Sequence, residues 1–109
     1  MINITFEGEP LHETCVDLRN AEQAYGSVSA AALVTFLSEA QSFETADELL
    51  DFLGGDAKIL LDDSLSVAIG SDYRAALVVV GSRHTRDEGG RIAWASVSRL
   101  KLLAISRVP

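Results

Sequence analysis

KILLDDSLSVAIGSDYRAALVVVG, residues 58–81, is the stretch on which the fold turns. Its turn residues divide it into three apolar runs. Lys58 to Leu61 is closed by Asp62-Asp63-Ser64, Leu65 to Ile69 by Gly70-Ser71-Asp72, and Tyr73 to Val80 by Gly81. Short runs rich in Val, Ile and Leu, bounded by Gly, Asp and Ser, are the pattern of β-strands. Connections this short favour antiparallel neighbours. Val78, Val79 and Val80 are apolar at consecutive positions, which predicts a central strand covered on both faces.

Before this meander the periodicity is helical. Leu11, Cys15, Leu18, Ala21 and Tyr25 recur at three- and four-residue steps, predicting one helix over Leu11 to Tyr25 that Gly26 ends. Ser27 or Ser29 is placed to cap a second, with Ala32, Leu33, Phe36, Leu37 and Ala40 as its buried stripe. Thr45-Ala46-Asp47-Glu48 has capping-box spacing and opens a short third helix that Gly54-Gly55 closes. Ahead of the helices, Ile2, Ile4 and Phe6 alternate with polar residues as in a half-buried strand, expected at an edge of the sheet or beside its last strand. After the meander, Ser82 to Gly90 reads as an exposed loop, with a final strand between Arg91 and Ser106. The expectation is one α+β domain over residues 1–109. An N-terminal strand and a helical hairpin, plus the short third helix, pack on a twisted antiparallel sheet.

Composition narrows the classes. A chain of 109 residues, 48% apolar and 23% charged, suits one core that buries roughly two thirds of the unfolded surface. Cys15 is the only cysteine, so no intrachain disulfide forms, no thiolate zinc site is expected and no cofactor is implied. The start MINITFEGEP has neither a basic segment nor an apolar core, and no apolar run approaches a membrane span, so a cytoplasmic protein without membrane partners is expected. The net charge of −7 is unevenly spread. Residues 1–72 hold 14 acids against Arg19 and Lys58, a balance of −12; residues 73–109 hold 7 bases against Asp87 and Glu88, a balance of +5. Any surface for nucleic acid belongs to the C-terminal third.

The order strand, helical hairpin, meander resembles the RelE/ParE toxins of bacterial toxin–antitoxin pairs, nearest their HigB-like branch. The residues that carry the resemblance are Cys15-Val16-Asp17, Gly26, Tyr73-Arg74 opening Ala75 to Val80, Asp87-Glu88-Gly89-Gly90 with Trp94, and Val97 to Ile105. The resemblance implies a toxin neutralised by an antitoxin, typically of helix-turn-helix type, and a ribosome-dependent endoribonuclease that directs a 2′-hydroxyl onto the adjacent phosphate of mRNA. It also leaves open a catalytically silent protein-binding domain on the same scaffold, and the gyrase-inhibiting branch.

RNA cleavage of that kind needs proton transfer and cationic stabilisation of the developing charge. Arg74 matches the family's strand arginine; the alternative is an anchor to Asp72 or to an acid of the first helix. Arg99, Lys101 and Arg107 share a parity, so on an unbroken strand they project from one face, either as a catalytic and RNA-binding patch with Arg74 or as charges protecting a strand edge. Arg83, His84 and Arg86 form the densest basic cluster and are candidates for RNA contact, with His84 able to titrate near neutrality. His12 reads as a helix-surface residue, and Trp94 and Tyr25 as core. Lys58 to Asp63 is acidic where many such toxins carry a basic turn, and Ile105-Ser106-Arg107-Val108-Pro109 lacks their aromatic or histidine tail.

Overall fold

The computed structural model describes residues 1–81 and 84–108. Strand β1 spans Asn3–Phe6, and four helices follow: α1 Glu9–Val16, α2 Leu18–Tyr25, α3 Ser27–Ser42 and α4 Ala46–Leu53. The strands β2 Ala57–Ile59, β3 Leu65–Ile69, β4 Tyr73–Val79 and β5 Arg99–Arg107 complete an α+β fold with one five-stranded sheet in the order β1-β5-β4-β3-β2.

The sheet is mixed where an antiparallel one is expected. β2 to β5 are antiparallel, but β1 lies parallel to β5, with Asn3 opposite Arg99 and Phe6 opposite Leu102. A parallel neighbour needs a long connection. The whole chain between β1 and β5 supplies it, so β1 is both an edge strand and the neighbour of the last strand, the two places expected for it as alternatives.

The helix expected over Leu11 to Tyr25 is two helices. Asp17 is extended (φ −116°, ψ 116°), and its carboxylate accepts from the amides of Arg19 at 2.8 Å and Asn20 at 3.4 Å. Aspartate competes for backbone donors in this way, which makes it a poor interior residue and a good cap. The expected stripe survives only in part: Cys15 and Ala21 are buried and Leu11 and Tyr25 half-buried, but Leu18, at the start of α2, is 50% exposed. Gly26, at φ 86°, is the turn between α2 and α3, a backbone that a side chain rarely tolerates. The Thr45 box forms in full: Thr45 accepts from the Glu48 amide, and the Glu48 carboxylate accepts from the Thr45 amide at 3.2 Å.

The core lies between the helices and one face of the sheet. Ile2 and Ile4, Leu65, Val67 and Ile69, Ala75 and Leu77, and Leu100 and Leu102 meet Leu33, Phe36 and Leu49 there. Val78, Val79 and Val80 lie in or just after the middle strand, yet they are half-buried, because the helices cover only one face. Between Ala76 and Leu77 the register slips: Leu77 pairs with Leu102 and Ala76 with Ala104, leaving Leu103 as a bulge. The segment from Thr85 to Arg91 is exposed but folded back, with Arg86 bridged to Ile92, and Ile92 and Val97 buried. The Val97 carbonyl accepts from the Ala46 amide at 2.8 Å and so ties this segment to α4. Trp94 and Tyr25 are half-buried at the margin of the core. Among the described residues, no helix is long and apolar enough to cross a membrane.

Candidate nucleic-acid interface

Alternation along the strands decides what the uncovered sheet face presents. Residues whose neighbours point into the core are Lys58 on β2, Ser66 and Ala68 on β3, Arg74, Ala76 and Val78 on β4, and Arg99 and Lys101 on β5. Asn3 and Thr5 of β1 lie beside Arg99 and Lys101. Within the strands this face therefore carries Lys58, Arg74, Arg99 and Lys101 and no acid.

Arg74 is half-buried and held in place. Its Nε donates to Ser66 Oγ at 2.7 Å, and its Nη2 donates to the Ser66 carbonyl at 2.9 Å and the Asp56 carbonyl at 3.5 Å. Neither Asp72 nor an acid of the helices is its anchor; the Ser66 hydroxyl and the Ser66 and Asp56 carbonyls serve instead, and among the described residues no carboxylate lies within ion-pair distance of the guanidinium. Lys101 differs, since its Nζ is 2.7 Å from Glu7 Oε2 at the rim of the face. Arg99 is exposed, two residues away on the same side of β5. At about 3.3 Å per residue, Arg99 and Lys101 lie roughly 7 Å apart along the strand. Lys101 is opposite Val78, four residues from Arg74, which puts those two cations roughly 13 Å apart. The side chains form a track, and they do not converge on one phosphate.

Arg107 leaves this track. The Leu103 bulge reverses parity, so Arg107 pairs with Tyr73 on the helix-side face and its guanidinium carbon lies 5.9 Å from the Tyr73 ring centre. Tyr73 in turn meets Tyr25 edge-on at 5.0 Å, and burial pushes the Tyr25 phenol up. The shared parity of Arg99, Lys101 and Arg107 holds only for an unbroken strand.

The basic loop cluster is likewise divided. Arg83 lies outside the described residues. His84 is half-buried beside a cavity of about 10 Å³ formed with Val79, Val80, Ser96, Val97, Ser98 and Arg99, and its Nδ1 is buried without a hydrogen-bond partner among the described residues. Arg86 turns away to Asp63 at 3.4 Å and to the Gly90 carbonyl at 2.9 Å. Arg91, which no motif singles out, lies 2.6 Å from the same carboxylate and donates to the Leu60 carbonyl at 3.1 Å. Asp63 thus holds two cations from a left-handed turn position at φ 64°. Lys58 is the other residue missed; its place between Ala57 and Ile59 is the sign of its outward parity.

Within its strands the open face is net positive. His12 stands apart from it, exposed on α1 with its ring 5.1 Å from Phe6. Among the described residues, the one carboxylate within ion-pair distance of Lys58, Arg74, Arg99 or Lys101 is Glu7, on Lys101. Comparison with protein-family profiles, with characterised proteins and with solved structures finds no match to this chain.

Proposed function

We propose that this chain is the toxin-like component of a bacterial type II toxin–antitoxin pair, on a RelE/ParE-like scaffold nearest the HigB-like branch, and that its open sheet face contacts mRNA at the ribosome. The observation that carries the reading is the acid-free row of Lys58, Arg74, Arg99 and Lys101 on the one sheet face the helices leave bare. Cations spaced along a strand match a polynucleotide backbone, whose successive phosphates each recruit a positive group. Arg74 is the residue to which this reading assigns the scissile phosphate, because it alone is fixed by three hydrogen bonds and keeps its full charge. An antitoxin of helix-turn-helix type is the partner, and the cytoplasm the site of action.

The same geometry favours a second reading, a catalytically silent binding domain. Lys101 is engaged by Glu7, the cations are spread along the strands, and His84 lies beside a cavity lined by Arg99 and not by Arg74. Primer extension on cellular mRNA after brief induction separates the two. Codon-phased cuts that disappear in Arg74→Ala are the expected result; absence of cuts from folded protein removes the nuclease and leaves binding.

A further inference from the structure

On the side of β1 away from β5, an unpaired strand edge adjoins an apolar groove. In the parallel ladder Asn3 donates to the Ser98 carbonyl at 2.8 Å and Glu7 to the Leu102 carbonyl at 2.9 Å, so the alternate residues Ile4 and Phe6 direct their amides and carbonyls outward. Only Ile2 uses that side, donating to the Phe43 carbonyl at 2.8 Å; neither Ile4 nor Phe6 has a backbone partner there among the described residues. The helix-side flank of the same residues opens into a groove of about 260 Å³ lined by Ile4, Phe6, Cys15, Val16, Val34 and Leu37. Val16 is 60% exposed and Val34 37% exposed. Unpaired edges are normally blunted with lysine, proline or a bulge. The opposite edge, β2, follows that rule, being three residues long, carrying Lys58 and ending at the Asp63 turn. β1 is also short, at four residues, but carries no lysine, proline or bulge.

We infer that the β1 edge and its groove are a docking site for an extended segment of another protein, which adds to the sheet as a sixth strand beside β1. Its alternate side chains are apolar and enter the groove, and its flanks are basic. Hydrogen bonds from the edge supply the register, and pockets for every second side chain supply selectivity. The basic flanks follow from charge: β1, α1 and α3 carry Glu9, Glu13 and Glu39 and neither lysine nor arginine. That charge also disfavours a second copy of this chain as the occupant. The surface is separate from the open sheet face and stands without the RNA reading.

The probe is a synthetic peptide with alternating valine and threonine between pairs of lysines, titrated calorimetrically into the full chain, with amide hydrogen exchange followed in parallel. Saturable binding that slows exchange at Ile4 and Phe6 is expected. It should fall at least tenfold in Val34→Lys, which puts a cation on the groove wall at a position already part-exposed, and at least tenfold when glutamates replace the peptide's lysines or proline replaces its central valine. Arg74→Ala should bind the peptide unchanged, which keeps this result independent of the sheet-face reading. No binding, protection at Ile59 on the β2 edge in place of Ile4 and Phe6, or equal affinity for the glutamate-flanked peptide overturns the inference.

Discussion

Arg74 and Cys15 show how one side chain is set by its neighbours. Arg74 spends its donors on Ser66 and Asp56 oxygens, and neutral acceptors leave its charge intact. Losing such hydrogen bonds costs about 1 kcal/mol each. Against a typical domain stability of about 5–15 kcal/mol, Arg74→Ala remains folded, which is why it serves as the test of function. Cys15 is 2% exposed, and burial pushes its thiol up to about 11 from 9.0. The neutral thiol is the stable form inside, so its contribution to stability is complete below pH 9 and is lost as the pH rises toward 11, where the unfolded chain alone is ionised. Urea midpoints measured at pH 8 and pH 10.5 should therefore fall further in the native chain than in Cys15→Ala; equal falls would show that the thiol is not shielded.

At the scale of elements, the bulge in β5 decides which cations share a face. Leu102-Leu103-Ala104-Ile105 is an unbroken apolar run, so nothing in its pattern marks Leu103 as the residue left over. Deleting Leu103 lets Ala104 follow Leu102 directly in the existing ladder, so the strand runs unbroken while Ile105 and Arg107 keep their helix-side places. Amide exchange at Ala76 and Leu77, which flank the bulge, should slow several-fold in the deletion, and acceleration there would mean that the strand needs the bulge to seat. Elements with local signals were legible: the meander from its turns, α4 from the Thr45 box, the α2–α3 junction from Gly26. The break at Asp17 was not, because an apolar stripe continues through it, and neither was the direction of β1, which depends on residues at the far end of the sequence. In the candidate site Arg99 and Lys101 were legible from strand parity and Arg74 only from its resemblance to a family's strand arginine, whereas the loss of Arg107 depended on the Leu103 bulge and the diversion of Arg86 on Asp63, a contact across the fold that no local pattern encodes.

Across the whole molecule, charge is sorted and then partly cancelled. The acidic helical half faces away from the bare sheet, while Asp63 reaches over from the β2–β3 turn to hold Arg86 and Arg91. Asp63→Asn keeps a residue that accepts φ above zero and removes only the charge. It should release both guanidiniums, hasten tryptic cleavage after Arg86 and Arg91 several-fold, and raise retention on a heparin column. Unchanged cleavage and retention would mean that the carboxylate does not organise this loop.

The pairing of Asn3 with Arg99 also sets an order of events during synthesis. The first strand leaves the ribosome with no neighbour and waits while 92 intervening residues, Glu7 to Ser98, are added before β5 exists to receive it. Contacts this distant in the chain close late and slow folding. Until β5 has emerged, the nascent polypeptide exposes Ile2, Ile4 and Phe6 as an apolar segment that chaperones would hold, and the sheet closes only once Arg99 to Leu102 are free to pair.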